Sequence, residues 1–333
     1  MTRMKFLITG GAGFIGSHIV DDLINRGYQV YVVDNLSTGR RQNINPNAVF
    51  TEPFDASQTP DEWLNEDTIA IHCASQPKCN VSLYAPVNDM ENNYAVGVRF
   101  ITKCVSRKIK RLVLISSMSV YGDQPKSPYT EDMKPAPKDP YGIHKYALEQ
   151  MCKVLCENHG VEHLILRPQH VFGIRQRYDL SYRNVIPRWI KKAILGQPLP
   201  VFGNLNLKRA FSPVSLIQRS IISAALDKKL DGETFNLGSS RTRSLAEIAE
   251  KISAVLNIKV DFDLLPSPST LLNLSVGSTN KAKEVLKISE SEFEFDTNLS
   301  QLASEMKRGV ISGAEIGILP EIAPQVYLSI YGS

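Results

Sequence analysis

The stretch Lys5-Phe6-Leu7-Ile8-Thr9-Gly10-Gly11-Ala12-Gly13-Phe14-Ile15-Gly16 decides the fold. An apolar run reaches a cluster of glycines, and a helical pattern follows to Arg26, where Gly27 is placed to end it. Gly11, Gly13 and Gly16 satisfy the dinucleotide fingerprint, and Gly10, Gly13 and Gly16 satisfy its wider-spaced form. Glycines there let the backbone turn tightly and approach a pyrophosphate. The helix that opens at Phe14 and Ile15 then offers free N–H groups and a positive dipole end.

Working outward, the next apolar run, Gln29–Asp34, is rich in Val and Tyr and ends in Asp34, 18 residues after Gly16. A carboxylate at that place can bind both ribose hydroxyls of NAD and repel the 2′-phosphate of NADP, so NAD is the expected cofactor. Arg40 and Arg41 follow closely and leave NADP open. Ala48–Phe50 reads as a weaker third strand, Thr68–Cys73 as a fourth, Arg111–Ser117 as a fifth and His163–Arg167 as a sixth. Long helices are expected over Val87–Arg107 and Pro140–His159. Strands alternating with helices imply right-handed crossovers and a parallel sheet covered on both faces. The fold class is therefore α/β: a Rossmann-type doubly wound parallel sheet with a smaller C-terminal substrate-binding lobe.

After Pro168 the pattern loosens into loops that carry Arg175, Arg177, Arg183 and Arg209. Thr234–Leu237 reads as a further strand, and Ser244 with Glu247 forms a capping box that opens a helix to Leu256. The expected division is residues 1–168, with returning segments near 209–238, as the NAD-binding body, and 169–208 with 239–333 as the lobe. Pro266–Thr270 reads as a loop. The tail from Gly309 carries Ile316, Ile318, Leu319 and Val326, which suit packing on the body.

Composition narrows the function classes. The chain has 333 residues, is 43% hydrophobic, and spreads its 22% of charged residues along its length, which argues against disorder. A net charge of +4 suits an anionic small substrate and is too weak to argue for nucleic acid. The basic clusters Arg107-Lys108, Lys110-Arg111 and Lys228-Lys229 read as solvated helix ends and loops. Met1–Lys5 runs straight into a strand, with no leader pattern and no membrane-length apolar stretch. The odd set Cys73, Cys79, Cys104, Cys152 and Cys156 suits a reducing compartment, so the cytoplasm is expected. Cys152 and Cys156 share a helical face near His159, and they read as buried thiols rather than metal ligands. His18 and His72 read as structural, and no metal site is expected.

A second constellation carries the chemistry. Asp139-Pro140-Tyr141 reads as a helix start, with Asp139 capping and Pro140 in the first position. Tyr141 and Lys145 are then four apart on one helical face, with Tyr141 in the first turn, where the dipole favours a phenolate. A nearby ammonium and a nicotinamide cation would lower the phenol's pKa further, which suits a general base. The fifth strand ends in Ser116-Ser117-Met118-Ser119-Val120-Tyr121-Gly122, at the carboxyl edge where open sheets bind ligands. A serine hydroxyl there can hold the reacting oxygen.

With these residues in place the chain resembles the extended short-chain dehydrogenase/reductase family of nucleotide-sugar epimerases and dehydratases, over roughly residues 4 to 308. Asp34-Asn35-Leu36-Ser37-Thr38-Gly39 is similar to a stretch of the UDP-glucose 4-epimerases. Ser117, Tyr141 and Lys145 match the family's catalytic positions. The resemblance implies that Gly10, Gly13, Phe14, Ile15, Gly16, Asp34, Asn35, Ser37, Thr38 and Ala74 hold NAD, as do Tyr141 and Lys145. Phe54-Asp55 matches an adenine contact. It further implies substrate contacts from Met118, His170, Asn184 and Arg209, the last gripping a diphosphate, and it implies a homodimer through the helices near Val87–Arg107 and Pro140–His159.

The family's dehydratases carry Asp and Glu directly after the catalytic residue, and its decarboxylases carry the Glu. Met118 and Ser119 stand there instead, which disfavours both routes. Redox-neutral epimerisation remains, most often at C4, on a nucleotide sugar for which UDP is the leading base. Another sugar oxidoreductase of the family, an atypical dehydratase, and a silent NAD-binding protein stay as alternatives. Four places depart from the pattern. His170 stands where an Asn is usual, Tyr94 stands where an Asn often precedes a helical Gly, though Asn93 adjoins it, Ala210 follows Arg209 in place of Asp, and Pro268-Ser269-Thr270-Leu271 replaces a motif holding a second diphosphate arginine. Either another cation has taken over, with Arg175, Arg183 and Arg241 as candidates, or the substrate carries less phosphate.

Overall fold

Residues 4–77, 82–178, 184–266 and 276–311 are described by the computed structural model of the chain. The tail beyond Ile311, the 267–275 stretch with its Pro268–Leu271 motif, Arg183 and Cys79 lie outside the described residues.

Six parallel strands form the central sheet: β1 (Lys5–Thr9), β2 (Gln29–Val33), β3 (Thr68–His72), β4 (Arg111–Ile115), β5 (Glu162–Pro168) and β10 (Glu233–Leu237). Their order across the sheet is β10-β5-β4-β3-β1-β2. From β1 the chain crosses one way to β2 and then back past β1 to β3. That reversal opens a crevice at the carboxyl ends of β1 and β3, where an α/β sheet takes its ligand. All five residues of β1, β3 and β4 are buried, as expected of strands covered on both faces.

Helices α1 (Phe14–Asn25) and α6 (Val214–Leu226) cover one face, where Ile19, Val20 and Leu23 pack with Ile217 and Ile221 against the sheet. The other face is covered by a helical run of three parts: α2 (Pro86–Asp89), a π-helical stretch Met90–Ala95 and α3 (Val96–Ser106). It packs beside α4 (Pro140–His159), through Phe100, Ile101, Cys104, Leu148, Cys152 and Cys156. The remaining core belongs to α5 (Val185–Ile194), α7 (Leu245–Leu256) and α9 (Glu292–Ile311), packed around Trp189, Leu199, Ile248 and Phe295. Short strands β6 (Val171–Phe172) and β9 (Ser212–Pro213) pair beneath it. So do β7 (Leu199–Phe202) with β12 (Phe262–Leu265), and β8 (Lys208–Arg209) with β11 (Arg243–Ser244). The helix α8 (Asn280–Leu286) closes the edge beside β10.

Three readings of the sequence need correction. Ala48–Phe50 is no strand: Val49 makes only an isolated bridge to Tyr31 on β2. The helix expected over Val87–Arg107 is interrupted by six π-helical residues, in which the buried Asn93 bonds Ser75, Gln76 and Asp89. Arg111 is not a solvated cluster residue but 2% exposed. Its guanidinium donates to the carbonyls of Ala225, Asp227 and Leu230, capping the orphan acceptors at the end of α6.

One ionic contact fixes α4 on the sheet. Glu149 is fully buried, and Arg167 of β5 grips its carboxylate twice, Nε at 2.9 Å and Nη2 at 2.6 Å. The Ser116 hydroxyl donates to the same carboxylate, while Arg167 Nη1 donates to the Tyr121 hydroxyl, which donates to Asn236. Removing one partner leaves a buried uncompensated charge. Glu149→Ala is therefore expected to lower the free energy of unfolding by about 3–5 kcal/mol in urea denaturation. A loss under about 1 kcal/mol would mean that water solvates the pair.

Candidate active site

The glycine turn positions the cofactor end of the site. Gly10 has φ +71°, and a Cβ on it would sit 2.8 Å from the Ala74 nitrogen, so β1 and the residues after β3 touch here backbone to backbone. A Cβ on Gly16 would collide with the Gly10 carbonyl oxygen. Between these points the N-terminus of α1 faces a cavity of about 1530 Å³, large enough for a dinucleotide and a second ligand. The residues present fit NAD. Glycines at positions 10, 13 and 16 bring no side chain to that helix end, and the helix N-terminus has no side-chain cap of its own.

Asp34 closes that end. It is 7% exposed; its Oδ2 accepts from Ala12 N at 3.0 Å and its Oδ1 from Leu36 N at 2.8 Å. Burial holds its pKa above the ordinary carboxylate value, against the pull of these two donors. Each oxygen keeps a second lone pair for a ribose hydroxyl. Asp55 caps a short 3-10 turn by accepting from Ser57 N, and it borders the same cavity.

The middle of the cavity gathers the residues from β4 and α4. Asp139 caps α4 by accepting from Gly142 N at 2.8 Å, with Pro140 in the first turn, so the helix begins where its sequence dictates. Tyr141 is 4% exposed, and its backbone N–H donates to the Ser82 hydroxyl. Lys145 follows one turn on, buried, with Nζ donating to the Ile115 carbonyl at 2.7 Å. Burial pushes its pKa down to about 8, with Cys73, Glu149 and Asp89 opposing. Ser117 begins a 3-10 turn, and its hydroxyl accepts from Ser119 N and bonds the Ser119 hydroxyl at 3.1 Å. Met118 is buried against Gly277. Cys73 and His72, at the end of β3, stay neutral: burial drives the thiol up to about 12 and the imidazole down to about 3.

At the far end His170 (φ +39°) packs beside Phe211, and Asn184 Nδ2 donates to the Val171 carbonyl. Left-handed backbone suits Asn better than most residues, and His is among the few others enriched there. Arg209 is 9% exposed, with Nη1 donating to the Lys208 carbonyl. Every residue expected from sequence to hold cofactor or substrate borders this one cavity. Sequence reading missed Cys73, Gln76, Arg188 and Lys192, which border it too. For the last two a signal existed: they lie four apart, on the face of α5 opposite Ile186, Ile190 and Ala193.

Comparison with known proteins agrees with this architecture. Residues 6–238 match the model of the NAD dependent epimerase/dehydratase family. A protein of Methanocaldococcus jannaschii, provisionally named a UDP-glucose 4-epimerase, is 34% identical over 74% of this chain and 80% of its own. UDP-glucuronic acid decarboxylase 1 of Danio rerio is 30% identical over 79% of this chain, which spans 63% of that relative's length. The crystal structure of UDP-glucuronic acid 4-epimerase from Bacillus cereus, in complex with UDP-glucuronic acid and NAD, superposes with a TM-score of 0.82. It is 27% identical, covering 92% of this chain and 99% of that one.

The buried Asp34 carboxylate should discriminate between dinucleotides. NAD is expected to bind more tightly than NADP in titrations, and Asp34→Ala to narrow the preference. Tighter binding of NADP by the unaltered protein would contradict this placement.

Proposed function

The chain belongs to the NAD dependent epimerase/dehydratase family, and from that premise we propose that it is a nucleotide-sugar epimerase, inverting C4 of a UDP-sugar. The observation that carries the reading is the composition of one strand end. Ser117 borders the cavity with Tyr141 and Lys145, while the two positions after it are Met118 and Ser119. No carboxylate stands there to protonate a leaving hydroxyl or to serve a decarboxylase, and what is left is proton transfer at a carbinol.

Bound NAD supplies the hydride acceptor and donor for that carbon. The glycine turn and the N-terminus of α1 hold its pyrophosphate, with Phe14 and Ile15 beside it, and Asp34, Asn35, Ser37, Thr38, Asp55 and Ala74 hold the adenosine half. Tyr141 takes the carbinol proton and later returns it. Its place in the first turn of α4 and the Lys145 ammonium one turn below both favour the phenolate. The Ser117 hydroxyl, turned toward Ser119 in the structure, holds the sugar oxygen in both redox states. Met118, His170, Asn184 and Arg209 contact the substrate. Residues 1–168 with the returning 209–238 form the cofactor body, and 169–208 with 239–333 form the substrate lobe.

We assign the enzyme to the cytoplasm, since Cys73, Cys104, Cys152 and Cys156 are all free thiols. We also read it as a homodimer. Val87 and Met90 in the helical run that packs beside α4, and Ile143 and Val154 on α4 itself, are apolar yet exposed at 62%, 39%, 50% and 55%. Sedimentation at micromolar concentration should give a dimer, and charged residues at Val87 and Val154 should give a monomer. A stable monomer of the unaltered chain would refute this assignment.

The chemistry is read in a pH–rate profile with UDP-sugars, following the product by NMR. Tyr141→Phe is expected to cost on the order of 10²-fold or more in kcat. In the unaltered enzyme the rate should fall above about pH 8, as Lys145 gives up the charge that stabilises the phenolate. In Lys145→Arg, whose guanidinium does not titrate there, that alkaline limb should disappear from the residual activity. Near-normal turnover by Tyr141→Phe would end the proposal.

A further inference from the structure

The motif expected to bring a second diphosphate arginine is replaced in this chain, and the structure offers a different cation. Of the three candidates named from sequence, Arg175 is engaged with Asp21 at 2.7 Å. Arg241 is 58% exposed and paired with Glu292. Arg183 lies outside the described residues. Arg188, on α5, is in another situation. It is half-buried, its Nε is shielded from solvent with no hydrogen-bond partner, and no ion pair engages its guanidinium among the described residues. The group lies over the ring of Phe202, 5.3 Å from its centroid.

Arg188 borders the same cavity as Arg209, and Lys192, one helical turn along α5, borders it too. The only carboxylates bordering the cavity among the described residues are Asp34, Asp55 and Asp139. The first two belong to the cofactor end and the third caps α4. The wall made by α5, β7 and β8 therefore carries cations and no described carboxylate. A guanidinium Nε shielded from water without a partner is costly unless an acceptor reaches the group or draws it round. Burial lowers the pKa of Arg188 and of Arg209 alike, so both gain when an anion arrives. Lying over Phe202, the guanidinium is planar and offers forked donors, which suit the geometry of phosphate oxygens.

We propose that Arg188 is the second diphosphate-binding arginine of this enzyme, holding the substrate's diphosphate together with Arg209 of β8. This rests on the nucleotide-sugar reading given above. Arg188 thereby selects for a substrate with two phosphates over one with a single phosphate. The role is substrate binding and not proton transfer, so it should affect KM far more than kcat.

The test is calorimetry on NAD-loaded protein with UDP, UMP and uridine as probes. Arg188→Ala is expected to weaken UDP binding about 10- to 100-fold, the range for a hydrogen bond to a charged group. Uridine and NAD should bind as before, the salt dependence of UDP binding should become shallower, and Arg188→Lys should recover part of the loss. Arg188→Gln, which keeps a side chain over Phe202, is read in the same way if the alanine variant fails to retain NAD. UDP affinity unchanged in these variants, while Arg209→Ala loses it, would overturn the role of Arg188 and leave the nucleotide-sugar reading standing. Equal losses for uridine and UDP would also overturn it, by making Arg188 a prop for the base. Unaltered protein that holds NAD but binds none of UDP, dTDP, GDP and CDP would overturn both.

Discussion

The bidentate contact between Glu149 and Arg167 sets the rotation of α4, and the site depends on that rotation. Tyr141, Lys145 and Glu149 succeed one another at four-residue intervals along one helical face. Anchoring Glu149 to β5 and to Ser116 at the end of β4 turns the same face toward the sheet edge, so Lys145 meets the Ile115 carbonyl. A buried ion pair is weak evidence for stability, because desolvation offsets most of the attraction. It is better evidence for orientation. Both Glu149 oxygens are engaged, and the three Arg167 nitrogens reach Glu149 or Tyr121, so a small rotation of α4 would strand several polar groups at once. Tyr121 and Asn236 extend the network to β10, which returns late in the chain to the edge of the sheet.

A second constraint acts through the backbone alone. The turn after β1 lies so close to Ala74 and to α1 that side chains on Gly10 and Gly16 would not fit, and this contact draws the ends of β1 and β3 together. The cofactor end is thus formed by main chain, which tolerates few substitutions. The end we propose for the substrate is lined by side chains such as His170, Arg188 and Arg209, which can be exchanged singly.

The same difference decides what could be read from the sequence. The strand–glycine–helix turn, Asp34 at its spacing, the Asp139-Pro140 cap and the Tyr141/Lys145 interval are local signals, complete within a few residues. Ala48–Phe50 had strand composition but a neighbour on one side only, through Tyr31, and composition does not reveal the missing partner. Arg111 looked like one of a solvated cluster. Its burial depends on carbonyls more than a hundred residues away, at the end of α6. The π-helical turn depends on Asn93 reaching back to Ser75 and Gln76 after β3, again a tertiary contact. Arg188 went unread although Ile186, Ile190 and Ala193 mark an apolar stripe opposite it, because that stripe is plain only once the helix is bounded by Asn184 and Leu195.

Charges of both signs border the cavity. Asp34, on the side we propose for the ribose, has Arg40 close by, and Arg188, Lys192 and Arg209 are the cations we propose for the substrate anion. Between them the titratable groups from the end of β3 are held neutral, since burial keeps His72 unprotonated and the Cys73 thiol intact. Glu149 lies one turn deeper than Lys145 and is already compensated by Arg167. Lys145 is thus the charge we propose acts on Tyr141 from within α4, with Glu149 and Asp89 still attracting its proton. A buried lysine loses its proton more easily than one in water, and the depressed value of about 8 follows because burial outweighs that attraction. The same burial strengthens its attraction for a phenolate, because the field is not screened. The low pKa of Lys145 and the catalytic role we propose for it therefore have one cause, and any substitution that admits water beneath α4 should raise the first while weakening the second.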